Sequence, residues 1–107
     1  MKKITVIKID PEKRHICRIT VDRRPDMMRK HLGIDAMFEV VAEKDGNPVV
    51  LVVQNKDRVT EGAKFRVKGH SKHAIGTALI VGLHAKRAVS APVDMAWANR
   101  MIEWIDE

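Results

Sequence analysis

The sequence is poor in cysteine and in aromatic residues: Cys17 is its one thiol, there is no tyrosine, and two phenylalanines and two tryptophans complete the aromatic set. A single cysteine excludes a disulfide within the chain and any zinc site built from several thiolates of one chain, and it suits a reducing, cytoplasmic setting. So few rings leave little for stacking on nucleobases. No apolar run approaches the roughly 18 residues that span a bilayer, so no membrane partner is expected. Met1-Lys2-Lys3 has the positive start of a signal peptide, but Lys8 and Asp10 interrupt the apolar stretch behind it and no small-residue cleavage pattern follows, so an unexported protein is expected. There is no internal repeat and no low-complexity segment.

Chemistry-bearing motifs are equally scarce. Ser71 and Ser90 lack the surroundings of a nucleophile elbow, and no glycine-rich phosphate loop opens a helix, since Gly69 and Gly76 belong to a connector and a strand. Cys17 shares a strand face with Ile19 and Val21, the setting of a small buried hydrophobe rather than of a reactive thiolate. These readings point away from an enzyme: no catalytic residue is named and no cofactor is expected.

What is present is a folded domain. With 45% apolar and 32% charged residues over 107 positions, the chain has material for one core and for one domain, 1–107. Lys3–Ile9 and His15–Val21 alternate as strands around Asp10-Pro11-Glu12-Lys13, which predicts a β-hairpin. Pro25 and Gly33 bracket a short helix, Pro25–Leu32. Ile34–Ala42 alternates as a half-buried strand, Asp45-Gly46-Asn47-Pro48 is the sharpest turn signal, and Val49–Val53 is apolar throughout, as a strand covered on both faces should be.

Phe65–Val67 reads as a short edge strand after a polar loop over Asn55–Lys64. Ile75–Leu83 is a second apolar run, in which Gly76, Ala78 and Gly82 lighten one face for close packing of a helix. Pro92, with Asp94 in the first turn, opens a helix through Ile105 whose apolar stripe is Trp97, Ala98, Met101, Trp104 and Ile105. The fold expected is α+β, a mainly antiparallel sheet of about five strands in the order β-β-α-β-β-β-α, with the C-terminal amphipathic helix packed on one face.

Four short segments carry a resemblance to a known family. Val6-Ile7-Lys8-Ile9-Asp10 opens the hairpin, Glu39-Val40-Val41 and Val52-Val53-Gln54-Asn55 follow, and the most specific is Gly76-Thr77-Ala78-Leu79-Ile80-Val81-Gly82. In these the chain resembles a small bacterial and phage domain family of unknown function. An acidic residue usual after the asparagine is Lys56 here. The resemblance implies a single small domain of phage or mobile-element origin, and no chemistry.

Function is most legible in the charge. Residues 1–24 hold eight Lys/Arg against three acids and residues 56–74 hold six against two, whereas residues 25–55 have three against five and residues 75–107 three against four. Segregated charge of this kind raises the local concentration of polyanions. The candidate binding residues are Lys56, Arg58, Lys64, Arg66, Lys68 and Lys72 in the second basic segment, with Arg23 and Arg24 from the first. Alternation in Phe65–Lys68 sends Arg66 and Lys68 to one side, where they can meet phosphates. The plainer alternative is a solvated loop kept in solution by its charge.

His70 and His73 lack a nearby third ligand, so no metal is expected, and they would add charge to the basic loop at mildly acidic pH. The partner expected is nucleic acid, contacted through its backbone, or an acidic protein. The alternative is a protein-interaction module or inhibitor that acts through an apolar sheet face or edge strand. Apolar residues of Val49–Val53 and Ile75–Leu83, if uncovered on one face, would also suit a homodimer.

Overall fold

The computed structural model describes residues 3–22, 24, 36–54 and 61–106. Strands β1 (Lys3–Asp10) and β2 (His15–Asp22) form the expected hairpin, paired from Lys3 opposite Asp22 to Asp10 opposite His15. Strands β3 (Ala36–Lys44) and β4 (Asn47–Gln54) form a second hairpin. Its two-residue loop, Asp45-Gly46, takes φ of 51° and 80°, the left-handed pair whose twist matches the flanking strands. Next come β5 (Lys64–Val67), β6 (His73–Ile75), β7 (Ala78–His84) and β8 (Arg87–Val89), then helix α1 (Met95–Met101) and strand β9 (Ile102–Ile105).

The strands make two antiparallel sheets. The larger has the order β2-β1-β7-β4-β3, with β8 also paired to β7, and the smaller has the order β6-β5-β9. As the apolar run predicts, β4 lies inside the larger sheet and is buried on both faces. Its Val49, Leu51 and Val53 join Ile7, Ile9, Ala78 and Ile80 against Phe65, Val67, Ala74, Trp97, Ala98 and Ile102 of the small sheet and helix. Val50 and Val52 join Ile4, Val6, Val21, Leu79 and Val81 on the opposite face. Those residues are buried within the chain, so the apolar sheet face anticipated as a dimer patch is covered.

Gly82 explains how the chain returns to this core. A Cβ at Gly82 would stand 2.7 Å from the Ser90 carbonyl oxygen and 2.9 Å from Val89 Cγ2. Without one, Ser90–Pro92 crosses the sheet closely. The crossing is pinned where the Ala91 amide donates to the Thr5 carbonyl at 3.0 Å and the Thr5 amide donates to Ser90 Oγ at 2.9 Å. The light face of this strand thus receives the chain leading into the helix.

Several expectations are corrected. The strands described number nine rather than about five, and they form two sheets. The C-terminal helix is Met95–Met101, not Pro92–Ile105: Asp94 is its N-cap, accepting from the Trp97 amide at 2.9 Å, and Ile102 is extended. Trp104 and Ile105 lie in β9, where pairing with β5 replaces the last helical turns. Phe65–Val67 is the central strand of the small sheet, not an edge. The run Ile75–Leu83 is broken at Gly76, with φ of 80°, into the end of β6 and most of β7. The anticipated helix Pro25–Leu32 lies outside the described residues.

Candidate polyanion-binding surface

The outer face of the small sheet follows from the alternation of β5. Phe65 and Val67 are buried against the larger sheet, which turns Lys64 and Arg66 outward. Pairing then sets their neighbours: Arg66 lies opposite His73 on β6 and Glu103 on β9, and Lys64 lies opposite Ile75 and Ile105. The exposed Lys68 follows directly, its amide bonded to the Met101 carbonyl at 2.8 Å, and the β5–β6 turn is closed by the His70 amide donating to the Val67 carbonyl at 3.0 Å. Lys72 is exposed on the same connection, and His73 is exposed where β6 begins.

Carboxylates temper this surface. The Arg66 guanidinium grips Glu103 through Nη2, and through Nε at 3.1 Å. Arg14 in the β1–β2 turn pairs with Asp106, just beyond β9. Arg24 bonds Asp22 through its amide at 3.0 Å and Nε at 3.1 Å. The backbone bond from Arg24, more than its charge, holds the Asp22 carboxyl below the ordinary value of 3.8. Among the described residues Lys68 and Lys72 have no carboxylate partner, whereas Arg66 and Arg24 each have one.

The basic residues named from sequence are therefore only partly brought together. Lys64, Arg66, Lys68 and Lys72 converge on the small sheet and its turn. Arg24 does not join them. It follows β2 at one edge of the larger sheet, whereas His70 in the basic turn lies 3.7 Å from Glu39 on β3, the opposite edge. Four strand intervals of ~4.8 Å separate those edges by roughly 19 Å. Arg23, Lys56 and Arg58 lie outside the described residues.

Sequence reasoning missed Glu103 and Asp106 as partners of arginine, because that segment reads as the end of a helix. It also missed the His70–Glu39 contact, which joins elements far apart in the chain. The His70 Nε2 atom, which faces Glu39 Oε2 across this contact, is buried without a hydrogen-bond partner.

A shallow cleft of about 330 Å³ lies between the β3–β4 turn and α1, with Lys44 and Arg100 beside Trp97. Its one carboxylate, Asp94, already caps the helix. Among the described residues no three His, Cys, Asp or Glu side chains cluster as a metal site would require, and no helix is long and apolar enough to cross a membrane. No family profile, no curated protein and no solved structure matches the chain.

Proposed function

We propose that this is a small phage-type accessory protein, without catalytic activity, that binds nucleic acid through the outer face of the small sheet. The observation that carries this reading is the placing of Lys64 and Arg66 on the outward side of a strand whose Phe65 and Val67 are 0% and 1% exposed, with the exposed Lys68 directly after it. Anchored in this way, the cations are held on a fixed backbone with Lys72 and His73 alongside. Lys56 and Arg58 belong to the proposed set by sequence. The phage-type assignment rests on the Gly76–Gly82 segment and its companion motifs.

Contact is with phosphates rather than bases. Phe65 and Trp97 are buried and Trp104 packs edge-on against Phe65, with ring centroids 6.5 Å apart, so these rings do not offer stacking platforms on the cationic face. Reversing Lys68→Glu and Lys72→Glu together should weaken binding to duplex DNA and RNA by at least about tenfold, equally across sequences. Arg24→Glu, at the far edge of the larger sheet, should leave binding within about twofold of the parent, since its charge is screened beyond a Debye length of ~8 Å. Affinity that is indifferent to the lysine reversals would reject the site. Retention of an acidic protein, but of no nucleic acid, would identify the other partner class.

A further inference from the structure

The larger sheet ends in an unusual edge. Of the four large apolar side chains exposed among the described residues, three are on β3: Met37 at 42%, Phe38 at 44% and Val40 at 59%. The outer row of β3 backbone groups has no strand partner among the described residues. Such an edge is a template for another strand unless charge, proline or a bulge blunts it. The opposite edge, β2, is blunted by exposed His15, Arg18 and Thr20. On β3 the blunting comes late, at the irregularity between Val40 and Ala42 and at the exposed Glu43 and Lys44 beyond it. The regular free edge is thus Ala36–Val40.

We propose that β3 pairs antiparallel with β3 of a second copy about a two-fold axis at Phe38, joining two larger sheets into one. In this register Phe38 meets its own counterpart, Val40 faces the partner's Ala36, and Met37 faces the partner's Glu39. No like charges are opposed. Moving the axis one residue, to Glu39, would set two carboxylates face to face, which antiparallel pairs penalise. The segment is therefore self-complementary in this register, and an isologous contact of this kind closes at two copies. So short a strip falls well below the ~800 Å² per partner of a stable interface, so the association is weak and reversible. This inference is independent of the polyanion reading.

Sedimentation of the full chain from about 10 µM to 1 mM should show reversible passage from monomer toward dimer. Phe38→Glu, at a position already half exposed, should keep the circular dichroism and melting curve of the parent and weaken association by at least about tenfold. A chain that stays monomeric throughout, or a dimer that Phe38→Glu leaves intact, overturns the proposal. Register is tested by Phe38→Cys in a Cys17→Ser background. Directly opposed Cβ atoms lie about 4.5–5.5 Å apart, close enough for an intermolecular disulfide after small adjustment. Mild oxidation should therefore cross-link Phe38→Cys and spare Glu43→Cys, and equal cross-linking of the two would contradict the two-fold at Phe38.

Discussion

Ala85 and Lys86 join β7 to β8 with φ of 50° and 65°, a left-handed pair that asparagine and glycine occupy far more readily. The substitutions Ala85→Asn and Lys86→Gly relieve that backbone cost, and together they should raise stability by about 1 kcal/mol, measured by denaturant unfolding. The same residues explain why β8 is illegible in the sequence. His84-Ala85-Lys86-Arg87 carries no turn chemistry, unlike Asp45-Gly46, which announces its hairpin. Asp22 gives a second prediction at this scale. Its carboxyl is held below 3.8 in the fold, so the stabilisation from its bonds to Arg24 is present above the unfolded value and fades as pH falls through the lower folded value. Asp22→Asn should therefore lower the melting temperature at neutral pH, and the gap from the parent should close as the solution is acidified below 3.8.

Elements were legible where one residue pattern met one kind of partner. The first hairpin, the doubly buried β4 and the alternation of β5 follow from side-chain period alone. The C-terminal segment does not, because Trp97, Ala98, Met101, Trp104 and Ile105 satisfy a helical stripe whereas Ile102 and Trp104 also satisfy a strand. Pairing with β5 decides for the strand from Ile102 onward, a tertiary preference that local propensity does not encode. Trp104 remains a core contributor in its new setting, part-buried and edge-on to Phe65 at an interplanar angle of 69°. Trp104→Ala should cost about 3 kcal/mol, the low end for a tryptophan truncation, in thermal or denaturant melts. A loss below about 0.5 kcal/mol would show that β9 contributes only its backbone to the small sheet.

Across the whole molecule, segregated charge in the sequence becomes only partly segregated charge in space. Lys64, Arg66, Lys68 and Lys72 were legible as neighbours because a strand and its turn hold them together. The separation of Arg24 from them was not legible, since it depends on the strand order β2-β1-β7-β4-β3, nor was the neutralisation of Arg66 by Glu103, which depends on cross-strand register. The central claim is that Lys68 and Lys72, beside the small sheet, engage phosphates, and the salt dependence of duplex DNA binding tests it most directly. Log affinity should fall linearly with log salt, and Lys68→Glu with Lys72→Glu should flatten that slope by about 2. An affinity that does not change with salt, or a slope the two substitutions leave unaltered, would contradict the account.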